Sequence, residues 1–434
     1  MQKYQTNKMP PGVHWMFILS VFITSFGETL KVLLSFSPAK LIIPFLFIYI
    51  ITIRFQHYKL HPLTGIFFGF IVFTVPSLIT GVNYSPILFN LIGYLMLFQI
   101  IINYDVNLNK IRDILSVYVY GVFFVALITL QFFITGKDFG EDFGKPFIEF
   151  HLGFPIVSGP SNNPNGFAGL LLPAIPLAIY LFSETKSILK RFMILLIIIT
   201  IATTLLTTFS RSAIAAVLLS GVVLHHCRRN SQIINFWLYF KVAVLLFMMI
   251  FFGTFINLLI DFLTTDVNNI GNDTVTYSDN KNTSAGYRTM VIIPMLEIFL
   301  ENIWFGVGWG NIKPIMELKT GLYINSHNTP FGIAMDYGIF ALFFAGLTVF
   351  LSVKCYLSAF KRMDDPKYKF MTASLLTSLL GLLFHGLFHE LYINFMLWVF
   401  IGLGPVIKDG FNSSLFFYKG PGLEDFKVSR RKNN

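Results

Sequence analysis

Charge is what this sequence has least of. Only 12% of its 434 residues are Asp, Glu, Lys or Arg, about half the roughly 25% of an ordinary soluble domain. Hydrophobic residues make up 55% and aromatic residues 17%, with 50 Phe. That balance excludes a water-soluble globular chain. Cysteine is nearly missing as well: Cys227 and Cys355 are the two present, too few for a disulfide framework. The sequence has no Walker loop, dinucleotide fingerprint, Ser-His-Asp order or zinc motif. Internal repeats and low-complexity tracts are missing too. The first apolar run, 13–34, has no small-residue cleavage site and reads as a first membrane helix, not a signal peptide.

Apolar runs long enough for a bilayer recur along the whole length. Twelve candidate spans fall at 13–34, 39–53, 63–82, 86–102, 114–134, 166–182, 192–209, 212–224, 236–260, 330–353, 370–387 and 391–407. The expectation is an all-α, polytopic integral membrane protein of about 12 transmembrane helices, with 1–434 forming a single multi-pass domain. The net charge of +10 does not signal a nucleic-acid partner, because the basic residues gather in alternate loops. With the N-terminus inside, 23 of the 32 Lys and Arg fall on inner segments. The positive-inside rule then predicts both termini in the cytoplasm, with 408–434 as a basic cytoplasmic tail. Both cysteines fall on the reducing side, so no disulfide is expected.

Two outer loops are long, 135–165 and 261–328, and long loops without a domain of their own are usually functional. The second starts polar over 264–284. It turns apolar over 287–300, where an interfacial helix is expected, and Trp304 and Trp309 suit interfacial depth. Gly306, Gly308, Gly310 and Gly321 predict a tight, irregular return to His327. The acidic pair Glu297 and Glu301, four residues apart, reads as a solvated stripe.

Three outer features each precede an inward-running helix. They are Gly159-Pro160-Ser161-Asn162-Asn163-Pro164-Asn165-Gly166, Ser210-Arg211-Ser212, and Asn325-Ser326-His327-Asn328-Thr329-Pro330. Each puts Ser or Asn caps and backbone N–H groups at the positive end of a helix dipole. If the three ends are neighbours, they make a donor-rich cationic pocket suited to phosphate, which Arg288 can join. Arg211 lies on the wrong side for the charge rule, which favours function over snorkelling. His327 is a titratable imidazole at a helix mouth. His385, His389 and Glu390 form a further outer cluster, without metal-motif spacing. His225, His226, Arg228 and Arg229 read as an inner topology anchor.

At these positions the sequence resembles the O-antigen ligase / Wzy-type polymerase family of bacterial envelope glycan enzymes. The resemblance rests on Asn163-Pro164-Asn165-Gly166-Phe167-Ala168, Phe209-Ser210-Arg211-Ser212, Tyr287-Arg288, Phe305-Gly306-Val307-Gly308-Trp309-Gly310-Asn311, and Ser326-His327-Asn328 with Gly338 downstream. It implies a membrane glycosyltransferase fold of the GT-C-like type, with its active site on the outer face of the bacterial cytoplasmic membrane. It also implies an undecaprenyl-diphosphate-linked glycan as donor and a second glycan as acceptor. Carried over, His327 would be the catalytic base. Arg211 and Arg288, with Asn328 and Ser210, would hold the diphosphate, and Asn163, Asn165, Asn325 and His389 would line the substrate site. No cofactor and no metal are implied. A flippase and a chain-length regulator are the implied protein partners. Ala341 departs from the ligase pattern. Val222 and Phe299 stand where polymerase loops carry Gly eleven residues after Arg. Polymerase and ligase thus both stay open. A composition rich in Phe, Ile, Asn and Lys leans toward a capsule-type polymerase. A flippase or transporter is the third reading, disfavoured by the missing repeat and the few charges within spans.

Overall fold

The computed structural model describes residues 11–25, 39–54, 60–80, 84–103, 108–135, 148–151, 154–161, 163–229, 294–321, 323, 326, 328–391 and 394–412. The span expected at 236–260 and the polar stretch 264–284 lie outside the described residues, as do Arg288, Asn325 and His327.

The described helices, in order, are α1 (Pro11–Ser25), α2 (Ala39–Arg54), α3 (Pro62–Thr80), α4 (Tyr84–Asn103), α5 (Leu108–Thr135), α6 (Pro164–Leu171), α7 (Ala174–Glu184), α8 (Ile188–Thr207) and α9 (Arg211–Arg229). Then follow α10 (294–301), α11 (Ile312–Thr320), α12 (Thr329–Arg362), α13 (Pro366–Gly386) and α14 (Phe395–Asn412). Each expected span except 236–260 overlaps a described helix, while 26–34, 81–82 and 392–393 lie outside the described residues. Among the described residues, four stretches are long and apolar enough to cross a membrane: Asn109–Thr135, Pro164–Glu184, Ile188–Thr207 and Thr329–Arg362. Shorter apolar helices include Gly12–Ile23, Ile42–Ile53, Pro62–Ser77, Phe89–Asn103 and Arg211–His225. The chain is a predominantly helical membrane protein. Large side chains such as Phe45, Phe89, Phe343 and Phe350 face outward, as a lipid-facing surface requires.

Several local expectations are corrected. The loop between α5 and α6 carries a small two-stranded antiparallel ladder, β1 (Ile148–His151) with β2 (Phe154–Val157), within an otherwise helical fold. The span at 166–182 is two helices, broken at Leu172-Pro173, where Pro173 and Pro176 each lack the N–H that would continue the ladder. The glycine-rich return contains α11, capped at its end by Gly321 in the left-handed conformation. The last helix runs on to Asn412, into the segment read as tail.

Apolar side chains gain little from leaving lipid for one another, so membrane helices associate through close backbone approach and interhelical hydrogen bonds. Both occur here. α12 packs on α3, α13 and α14, and α13 packs on α7 and α9. Ser352 and Tyr356 of α12 donate to the carbonyls of Ile401 and Phe400 on α14, each at 2.7 Å. Tyr118 of α5 donates to Leu170 O at 2.7 Å, and Ser378 of α13 to Pro173 O at 3.0 Å, which serves the break between α6 and α7.

The two ends of the bundle differ. One end carries polar pairs between helix ends, His14–Asp113 at 3.3 Å and His61–Asp409 at 3.7 Å, and the ion pair Lys367–Glu184 at 2.9 Å. The opposite end gathers the starts of α6, α9 and α12 around the end of α13. Beside it, Met295 and Ile298 of α10 and Ile312 and Met316 of α11 form a second small core with Val307 and Met335. Lys319 on α11 reaches Glu301 at 3.0 Å and Glu297 at 3.8 Å. The acidic stripe thus pairs with the neighbouring helix.

Candidate functional site

The start of α6 is built by Asn163. Its backbone is extended and its Oδ1 accepts from the amides of Asn165 (2.9 Å) and Gly166 (3.3 Å), with Pro164 in the first turn. The cap therefore consumes the amides that an anion would need. The start of α12 is similar. Asn328 Oδ1 accepts from Phe331 N at 2.8 Å, and Pro330 offers no N–H.

The start of α9 is different. Ser210 stands at the N-cap, and its carbonyl accepts the first helical bond, from Ile214 N at 3.0 Å. A serine here ordinarily turns its hydroxyl onto the helix's first amides. Ser210 instead donates its hydroxyl to Asn165 Oδ1 at 2.8 Å. Ser212, two residues on, bonds His385 Nδ1 at 2.8 Å. Both serines are buried, and Arg211 between them is exposed. Among the described residues no capping side chain serves the α9 amides and no acid pairs with Arg211. A cation at the positive end of a helix is misplaced by about 0.3–1 kcal/mol unless an anion joins it. The approach to this corner is strained as well. Phe209 sits at φ 51° and is 61% exposed, a conformation rare for a bulky residue and typical of functional sites.

His385 ties the corner together. It is fully buried at the last turn of α13. The carbonyl of Asn165 can only accept, so Nε2 carries the proton and donates to it at 2.9 Å. Nδ1 is bonded to the Ser212 hydroxyl, which can donate or accept. With both nitrogens engaged, His385 has none for a metal, which removes it from the His385–His389–Glu390 ligand reading. The following turn fastens α12. Asn328 Nδ2 donates to Leu387 O at 2.7 Å, and Thr329 Oγ1 donates to His389 O at 2.7 Å while accepting from Leu391 N at 2.7 Å. Ser326 donates to Glu390 Oε1 at 2.7 Å. The His389 ring lies 5.9 Å from that of His385.

So the structure gathers Asn163, Asn165, Ser210, Arg211, Asn328 and His389 at one end of the bundle. Of the remaining sequence candidates, Arg288, Asn325 and His327 are outside the described residues, while Ser326 and Asn328, which flank His327 in sequence, belong to this corner. Sequence reasoning did not single out Ser212 or recognise His385 as the tie between α6 and α9. The only signal for either was the Phe209-Ser210-Arg211-Ser212 run and the unassigned His385–His389–Glu390 cluster.

A second arrangement positions the start of α12. The helix is interrupted at Gly338 (φ 84°, ψ 179°), which isolates its first nine residues from the rest. The loop after α10 plugs the break. Val307 N donates to Met335 O (2.8 Å), Gly308 N to Asp336 O (3.1 Å), and Ile339 N to Ile303 O (2.8 Å). Gly306 and Gly338 allow this contact. A Cβ on Gly306 would lie 2.5 Å from Met335 O, and one on Gly338 would lie 2.1 Å from Trp304 O. Non-helical backbone within a membrane helix is tolerated only where protein satisfies it, and here the loop after α10 does so.

Residues 193–346 match the Wzy_C family model, described as O-antigen ligase. That stretch runs from α8 through the first part of α12. It includes Ser210, Arg211, Arg288, the Gly306–Gly338 contact and His327. No curated protein matches the chain.

Proposed function

We propose that this chain, whose residues 193–346 match the O-antigen ligase family model, is a glycosyltransferase. In this reading it polymerises undecaprenyl-diphosphate-linked repeat units of an O-antigen, capsule or exopolysaccharide at the outer face of the cytoplasmic membrane. The observation that carries the reading is the corner of α6, α9, α12 and α13. Exposed Arg211 stands at the one helix start of the three whose cap is drawn away, and the segment flanking His327 is fastened to the same turn.

The reaction asks little beyond charge stabilisation and one base. The acceptor hydroxyl oxygen bonds to the anomeric carbon as the bond from that carbon to the diphosphate oxygen breaks, with inversion. His327 takes the hydroxyl proton, and the lipid diphosphate leaves with the electron pair. Arg211 and Arg288, helped by the α9 amides, Ser210 and Asn328, receive the charge. A base with a pKa near neutrality and preorganised donors are the usual means for such a step. Asn163, Asn165, Asn325 and His389 line the sugar path. The ion-paired end faces the cytoplasm.

The family description favours a second reading, a ligase that moves the finished glycan to lipid A–core or another acceptor. Purified protein in liposomes, given a polyprenyl-diphosphate-linked repeat unit alone, separates the possibilities. A product ladder that is lost in His327→Ala is the expected outcome. Transfer only after lipid A–core is added would make the protein a ligase. No transfer under either condition, with lipid-linked units failing to reach the outer leaflet in cells without the protein, would replace both readings with a flippase.

A further inference from the structure

We propose that His385 is a positioning residue for the diphosphate site; the inference rests on the reading of Arg211 given above. His385 lies outside the family match and outside every motif that carries the resemblance. A residue that merely fills space among helices does not need both ring nitrogens bonded to the first turns of two other helices. His385 Nε2 holds the carbonyl of Asn165 in α6, and Nδ1 holds Ser212 in α9. Asn165 in turn holds Ser210. The result is a closed circuit, Ser210–Asn165–His385–Ser212, that grips the chain on both sides of Arg211.

The circuit has two consequences. It fixes the Arg211 backbone between two anchored neighbours, so the guanidinium projects from a rigid base at the mouth of α9. It also keeps the Ser210 hydroxyl off the α9 amides, leaving them for an anion. The ring is fully buried, and its place is set by the two hydrogen bonds. Loss of the circuit frees the serine to cap its own helix and loosens Arg211. The defect should therefore appear in diphosphate affinity, not in the acceptor.

The test uses the full-length protein in detergent and farnesyl diphosphate as the probe, with binding measured by calorimetry. In liposomes, KM and kcat are measured for donor and acceptor. His385→Phe, which keeps the ring volume and loses both bonds, should weaken farnesyl diphosphate binding and raise donor KM about five- to tenfold, the worth of one or two hydrogen bonds. Acceptor KM should not move. His385→Gln retains an N–H able to reach the Asn165 carbonyl and should fall between parent and Phe, as should Ser212→Ala. A drop in kcat alone, with donor KM and farnesyl diphosphate binding at parent values, would mean fewer folded molecules and would overturn the proposal. Parent-like behaviour of all three variants would do the same. If His385→Phe does not fold, the Gln and Ser212→Ala variants, each missing a single bond, decide. Arg211→Ala is the check on the premise. If it leaves farnesyl diphosphate binding intact, the diphosphate reading of this corner fails and the role of His385 fails with it.

Discussion

Replacing Gly338 with alanine tests whether the break in α12 is imposed by the loop after α10. At φ 84° and ψ 179° the backbone is in a region essentially reserved for glycine, and an L side chain there is strained by about 1–3 kcal/mol. The new methyl would also lie 2.1 Å from Trp304 O, 2.4 Å from Trp304 C and 2.6 Å from Phe305 N. All three are backbone atoms, so no rotamer change relieves the contact. The loop must retreat, and the three hydrogen bonds across the break go with it, each worth about 0.5–1.5 kcal/mol. The combined loss is about 3 kcal/mol or more. Gly346 provides the control within the same helix: its Cβ would meet nothing within 4 Å, and Gly→Ala in a helix interior gains about 1 kcal/mol. The assay is thermal unfolding of both variants in detergent, followed by protease cleavage between 294 and 321. Gly338→Ala should unfold at least about 5 °C below the parent and be cut faster in the α10–α11 segment, whereas Gly346→Ala should match or exceed the parent. Equal stability for the two variants would refute the loop as the cause of the break.

Further predictions follow from the same geometry. Gly306→Ala should reproduce the Gly338→Ala defect from the other side, because its methyl would lie 2.5 Å from Met335 O; the same unfolding assay checks it. Gly404→Ala should destabilise the α12–α14 contact, since its Cβ would lie 2.8 Å from Ser352 O, and should do so without exposing the α10–α11 segment to protease. His61 is held below its ordinary value, chiefly by burial, against the pull of Asp409 and with Lys408 adding to the lowering. The unfolded chain then binds the proton more readily. The contribution of His61 to stability is complete above its unfolded value of about 6.5 and is lost as pH falls below it. His61→Gln should flatten the parent's loss of thermal stability between pH 7.5 and 5.5, and an unchanged slope would contradict the burial argument. In a Cys227→Ser, Cys355→Ser background, Lys319→Cys should react with a membrane-impermeant maleimide on intact cells, and Asp364→Cys only after permeabilisation. The reverse pattern would invert the proposed orientation.

How much of this was legible in the sequence depends on the range of the interaction. Apolar runs and the near-absence of charge are local, and the helices at α2, α3, α8 and α13 begin and end close to where composition puts them. Pro164 and Asn163 marked the start of α6, and Asn328 and Pro330 that of α12, because caps and first-turn prolines act within four residues. The break at Leu172-Pro173 was missed although its prolines were visible, since membrane helices often tolerate proline and only the Ser378 bond to Pro173 O shows that a neighbour serves the gap. The hairpin β1–β2 and helix α11 were missed for a different reason. Each is short, and α11 owes its stability to a partner surface on α10 and α12 instead of to its own pattern.

The Ser and Asn residues at the three helix starts show where sequence reasoning stops. Read as caps, they are equivalent, and each start offers amides to an anion. In the structure they are not equivalent. Asn163 and Asn328 cap their own helices and so withdraw those amides from use. Ser210 is held by Asn165, Ser212 is held by His385, and the start of α9 is left with a bare arginine. The distinction depends on residues 45 and 173 positions apart in the chain, beyond any local rule. Its electrostatic consequence is directional. Of the three similar helix mouths, two have their amides taken by caps, and the third, already rich in uncompensated positive potential, is the one at which an anion gains most; under the proposed function that anion is the leaving diphosphate.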